Sequence, residues 1–185
     1  EAVLGDGSLA PEQSGETLFE NDGVRLWRLP AVDAGIGILS FKSKMHAIGS
    51  EVVDGVVAAV RQAEQSLSGL VIWHQPPFAV GANLAQVAEG CVAGDFAQLD
   101  RYVAAFQQAG QALKYAAVPV VAAVQGMALG GGCEFAMQAT RRVVALESYM
   151  GLVEAGVGLI PAGGGCKEFA LQAAEWAGRT ATPAE

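Results

Sequence analysis

Three consecutive glycines, Gly130, Gly131 and Gly132, stand directly before Cys133 and the carboxylate of Glu134, in a stretch that reads as a strand exit followed by a helix. Glycine inside regular structure costs roughly 0.5–1 kcal/mol relative to alanine, so a run of three marks a place where bare backbone is required. A strand, a glycine turn and a helix aim unpaired N–H groups at negative charge. A nucleotide phosphate is a poor target: a P-loop would carry Lys and Ser or Thr after the glycines, and here a carboxylate follows. Residues 156–161, GVGLIP, begin like a dinucleotide fingerprint but have Pro161 where the third glycine belongs. Main-chain donors beside a carboxylate suit an acyl carbonyl that gains negative charge as it reacts, with the acid moving a proton nearby. A second donor is expected from residues 78–84, FAVGANL, where Gly81 permits a turn that presents the Ala82 amide to a ligand.

The elements that must hold these groups follow from hydropathy. Short apolar runs at 35–41 and 69–74 suit buried strands, and between them Val52, Val53, Val56, Val57 and Val60 recur at helical spacing despite their β-branching. A second helix is expected over 95–115, with Phe96, Leu99, Tyr102, Val103, Phe106 and Leu113 on one side, ending before Pro119. Residues 119–124 read as a strand, then the glycine turn, a helix from about Gly132, and a strand at 141–146. Strands alternating with helices indicate an α/β domain with substantially parallel pairing. Residues 1–21 are acidic and rich in Gly, Ser and Pro, the composition of a linker or disordered arm, which puts the start of the folded domain at residue 22.

Composition narrows the function classes. The 185 residues are 52% hydrophobic with a formal charge of −8, so a globular core is expected and a nucleic-acid surface is not. No apolar run approaches the roughly eighteen residues of a membrane span, and no targeting pattern opens the chain, so a cytoplasmic fragment is expected. Cys91, Cys133 and Cys166 are widely spaced, and His46 and His74 have no acidic or cysteine neighbours at ligand spacing; neither a disulfide framework nor a metal site is expected.

Taken together, FAVGAN (78–83), ALGGGCE (128–134) and GLVEAGVGLIP (151–161) resemble the three signature blocks of the enoyl-CoA hydratase/isomerase (crotonase) family, in the family's order, and the likeness spans about 23–170. It implies a spiral of ββα units, with the C-terminal helical region largely missing after Glu185, so that 22–185 form a truncated acyl-CoA domain. It implies that the Ala82 and Gly131 amides form an oxyanion hole for a thioester carbonyl. It also implies that Glu134 and Glu154, twenty positions apart, serve as the acid/base pair that adds water to a trans-2-enoyl-CoA in fatty acid β-oxidation. Double-bond isomerisation, and a non-catalytic acyl-CoA-binding role within a larger protein, are the alternatives. Gly81 and Gly130 shape the site, and Met45 and Ala47 fall on the family's CoA-contacting turn. Lys42 and Lys44 are candidate point charges for CoA phosphates or a solvated strand end; Phe78 is core or pocket wall. Asn83 stands where many relatives have Asp, and an amide can cap a helix equally well. The reaction implied needs no metal or organic cofactor, coenzyme A being part of the substrate. The stretches FENDGVRLWRL (19–29) and ALESYMGLVEAGVGLIP (145–161) further resemble the hydratase part of bacterial bifunctional proteins carrying a 3-hydroxyacyl-CoA dehydrogenase. NAD is then expected only in an upstream, covalently linked dehydrogenase domain; a homo-oligomer is possible on the same likeness.

Overall fold

The computed structural model describes residues 11–180. A short helix α1 (Pro11–Ser14) leads into a six-stranded sheet of β1 (Glu16–Glu20), β2 (Val24–Leu29), β3 (Asp33–Phe41), β4 (Gly69–Ile72), β5 (Val120–Val124) and β7 (Arg141–Val144), in the spatial order β1-β2-β3-β4-β5-β7. The first three strands pair antiparallel and the rest parallel. A separate two-stranded parallel ribbon joins β6 (Met127–Leu129) to β8 (Tyr149–Gly151).

The parallel strands need crossovers, which the helices supply. Helix α2 (Ser50–Ser66) connects β3 to β4 and buries Val52, Val53, Val56, Ala59, Val60 and Ala63. That stripe repeats every three to four residues, so burial overrides the weak helix propensity of valine. Gly55 lets the helix settle on β2, since a Cβ there would lie 2.5 Å from Val24 Cγ2. Helices α3 (Leu84–Ala93) and α4 (Phe96–Lys114) connect β4 to β5; α4 buries Phe106, Ala109, Gly110 and Leu113. Helix α5 (Gly131–Gln138) links β6 to β7 and is buried at every position, while α6 (Gly165–Thr180) closes the described chain.

The structure moves the expected boundary at residue 22. Glu16–Glu20 is a strand of the sheet, with Leu18 and Phe19 packed against the core. Asn21 makes the turn into β2, its Oδ1 accepting from the amides of Gly23 (2.9 Å) and Val24 (2.7 Å). The guanidinium of Arg25 then donates to the Gly15 carbonyl and the Thr17 hydroxyl, both 2.8 Å. The strand's glutamates disguise it in composition, because on an edge strand they face water. Residues 1–10 of the expected arm lie outside the described residues. The other expected elements are found with ends shifted by a few residues, and the structure adds β2, β6, β8, α3 and α6 to them.

Candidate active site

Three chain segments converge at the C-terminal edge of the parallel strands. The first is the exit from β4, where Ile48 and Ala82 form an isolated parallel bridge. Ile48 donates to the Gly81 carbonyl (2.8 Å) and accepts from the Asn83 amide (2.9 Å). Groups alternate sides along an extended chain, so the N–H of Ala82 is turned away from Ile48. The turn requires Gly81, whose φ is 101° and whose Cβ would lie 2.9 Å from the Leu129 carbonyl oxygen. Asn83 caps α3, accepting from Ala85 N at 3.1 Å, as an amide in place of aspartate can.

The second segment is the glycine run, and each glycine answers to a different constraint. Gly130 has φ 49° and ψ −118°, and a Cβ on it would lie 2.9 Å from Glu154 Oε1. A Cβ on Gly131 would lie 2.8 Å from the Phe106 ring and 3.5 Å from Ala82 N, which shows how closely the two loops approach. On Gly132 it would meet the Ala79 methyl and carbonyl at 2.7 Å. Gly131 is the first residue of α5, so its N–H has no intrahelical acceptor. Among the described residues neither Ala82 N nor Gly131 N has a main-chain acceptor.

The third segment carries Glu154. Strand β8 leads through Leu152 into a 3₁₀ turn (Glu154–Val157), and Gly130 N donates to Gly151 O at 2.8 Å, tying the two glutamate-bearing segments together. Glu154 Oε2 is buried without a hydrogen-bond partner among the described residues.

Glu134, one helical turn into α5, is 3% exposed; its Oε1 accepts from Gly165 N at 2.8 Å. The Pro161–Gly165 loop folds over this carboxyl so tightly that a Cβ on Gly163 would lie 2.1 Å from Oε2. Burial raises the pKa of Glu134 above the ordinary carboxylate value, and the Glu154 charge adds to the rise, against the opposing N–H groups of Gly165 and Gly163. Cys133, beside it, is pushed up to about 11 by burial and then by the charges of Glu134 and Glu154, so the thiol stays protonated and is no nucleophile.

A cavity of about 440 Å³ unites these groups: Ala82, Gly131, Glu134 and Glu154 all line it. Its remaining walls are mainly apolar, from α3 (Leu84, Val87), α4 (Leu99, Val103, Phe106) and the 153–163 stretch (Val157, Leu159, Ile160). One end thus offers main-chain donors and two carboxyls, and the other offers hydrocarbon surface. The groups suit an amphipathic ligand with a polar, carbonyl-bearing end.

Of the other expected site residues, Gly81 and Gly130 line the cavity, and Met45 and Ala47 lie beside it on a turn, with Val80 N 3.4 Å from the Met45 carbonyl. Met45 adopts φ 56°, and His46 next to it φ 54°. Lys44 is exposed on that turn. Lys42 is committed elsewhere: its Nζ lies 2.7 Å from Glu20 Oε1 and donates to Asn21 O at 2.8 Å, fastening β3 to β1. Of the two readings of Phe78, core and pocket wall, the structure favours core over substrate contact: the ring is 1% exposed and absent from the cavity lining. The α3 residues and the Gly163 and Gly165 donors went unnoticed in the sequence. The i, i+3, i+7 spacing of Leu84, Val87 and Cys91 was the signal for the first, and the glycine cluster 163–165 for the second.

Fold and site together define an α/β scaffold closed around an amphipathic cavity, and comparisons with known proteins give its family. The chain belongs to the enoyl-CoA hydratase/isomerase family, whose match covers residues 32–175. It is 42% identical over 155 residues to a Bacillus subtilis protein named "Probable 3-hydroxyacyl-CoA dehydrogenase", covering 82% of this chain and 19% of that one. It is 32% identical over 159 residues to the fatty acid oxidation complex subunit alpha of Shewanella halifaxensis, covering 80% and 22%. The chain therefore spans about a fifth of the length of these relatives. Among solved structures, an enoyl-CoA hydratase from Polaromonas superposes with TM-score 0.73 at 23% identity, covering 80% of this chain and 58% of that one, which establishes the shared fold.

Proposed function

We propose that the chain hydrates trans-2-enoyl-CoA thioesters to 3-hydroxyacyl-CoA. The observation that carries this reading is the meeting, in one largely apolar cavity, of two main-chain amides without main-chain acceptors and two glutamates. Each residue then has a distinct task. The Ala82 and Gly131 amides hold the thioester oxygen as it becomes an enolate; removing one donor of this kind costs roughly 10²–10³ in rate. Glu134, its pKa raised mainly by burial, orients water and takes its proton as oxygen adds to the β-carbon. Glu154, with one buried oxygen unpartnered, delivers a proton to the α-carbon as the enolate collapses, and the proton that Glu134 has taken from the water makes good that loss, so that one water adds overall. The proposed chemistry uses the chain's own groups, and coenzyme A enters and leaves with the substrate.

The relatives' names support a place in fatty acid oxidation, alongside a covalently linked dehydrogenase domain that would hold the NAD. Loss of the enoyl-thioester absorbance of crotonyl-CoA is the direct test. Glu134→Gln and Glu154→Gln should each lower kcat by about 10²–10⁴ with little change in KM. Turnover that survives both substitutions would overturn the acid/base assignment. Double-bond migration in a 3-enoyl-CoA that survives Glu134→Gln while hydration is lost would assign isomerisation to Glu154 alone.

A further inference from the structure

Two cavities lie back to back beneath helix α3. The first is the 440 Å³ space of the candidate active site. The second, about 410 Å³, is more polar and is bounded by α2, α3 and α4 through Ser50, Asp54, Gln86, Glu89 and Arg101. Leu99 and Tyr102 line both and so form the partition between them. Tyr102 is anchored, its hydroxyl donating to Ile48 O at 2.6 Å. Leu99 is held by shape: it rests on Gly90, the buried residue of α3, where a Cβ would lie 2.8 Å from Leu99 Cδ2. Helix α3 otherwise shows its side chains largely to solvent or the cavity, so this contact sets how closely α3 and α4 approach.

The carbonyl end of the first cavity is fixed by the Ala82 and Gly131 amides, and a hydrocarbon tail leaving that end between α3 and α4 runs toward Leu99. Beyond Leu99 the walls turn polar and open to water, since Asp54, Glu89 and Arg101 are exposed, so methylenes that pushed through would gain little burial. We infer that Leu99, seated on Gly90, is the end stop of the acyl cavity and sets the longest unbranched acyl chain the site accepts. The inference rests on the reading that an acyl thioester occupies the cavity, and it adds the residue that measures the tail.

Binding separates this inference from the chemistry. Saturated acyl-CoAs from butyryl to palmitoyl, titrated calorimetrically into the purified protein, should bind about fourfold tighter for each added methylene until the chain meets Leu99, and no tighter beyond. Leu99→Ala joins the two cavities and should move that break to longer chains. Leu99→Phe should move it to shorter ones, with circular dichroism confirming that both variants are folded. The inference is overturned by a break at one chain length in all three proteins, by no break in the parent, or by no acyl-CoA binding at any length. Breaks that shift as expected in a protein that hydrates no enoyl-CoA would sustain the inference and defeat the hydratase reading.

Discussion

Gly130 concentrates several demands in one residue. Its backbone sits where ψ is −118° with φ positive, its N–H is used by Gly151, and a methyl in place of its hydrogen would press on the Glu154 carboxylate. Gly130→Ala should therefore cost roughly 1–3 kcal/mol of stability, read from the urea midpoint, and displace Glu154 enough to reduce turnover more than substrate binding. Glu134 makes the opposite trade. Its folded pKa lies above the unfolded value, so the folded state binds the proton more tightly, and stability falls as pH rises through the window between them. Above that window Glu134→Gln should raise the melting temperature even as it lowers the proposed turnover, and below the ordinary carboxylate range the gain should vanish. A melting temperature unchanged or lowered by the substitution at neutral pH would contradict the burial cost argued for this carboxyl.

At the scale of elements, the position of the 161–165 loop depends on how α6 is fastened. Glu168 on α6 is 2% exposed, and Lys114 at the end of α4 donates to both its oxygens at 2.8 and 2.7 Å, with Lys167 at 3.2 Å from Oε1. Burial, the largest single influence, would raise the Glu168 pKa; the hydrogen bonds and charges of Lys114 and Lys167 together outweigh it and hold the carboxyl below its ordinary value. Because Lys114 is partly exposed, solvent moderates the loss, and Lys114→Met should destabilise by about 2 kcal/mol. A near-zero change in a denaturant titration would show that α6 is held by packing instead. The elements legible in the sequence were those whose burial is periodic: the valine stripe of α2, the apolar runs of β4 and β5, and α4 up to its stop before Pro119. Strand β1 was hidden because only Leu18 and Phe19 face inward between glutamates, and α3 because most of its length is exposed and only Gly90 is buried. In the same way Glu134 and Glu154 could be picked out from their motifs. The Gly165 N–H that holds Glu134, and the choice between core and pocket wall for Phe78, depend on contacts between residues distant in sequence.

Across the whole molecule, the buried polar groups decide the response to acid. His74 is 4% exposed, accepts from Phe41 N at 3.3 Å through Nδ1 and donates from Nε2 to Phe78 O at 2.5 Å, the pattern of a neutral ring. Burial, and then the nearby His46, whose ring centroid is 3.9 Å away, lower its pKa to about 4. A histidine whose folded pKa is depressed loses stability as pH falls below its unfolded value of 6.5, because the unfolded chain takes up the proton first. Between there and about pH 4 the protein should lose on the order of 3 kcal/mol from this group. Replacing it by Gln, which can both donate and accept, should flatten that part of the curve in unfolding titrations run at several pH values.

The β6–β8 ribbon has a mechanical corollary. Strand β6 runs straight into the helix bearing one acid and β8 into the turn bearing the other, and Gly130 is hydrogen-bonded to Gly151 across the seam. Such a ribbon works like a caliper locked at one setting: its two jaws are fastened to each other by main-chain hydrogen bonds and not, among the described residues, to the helices over the apolar end. Guest preference can then drift through changes in α3 and α4 while the gap between the jaws stays as it is.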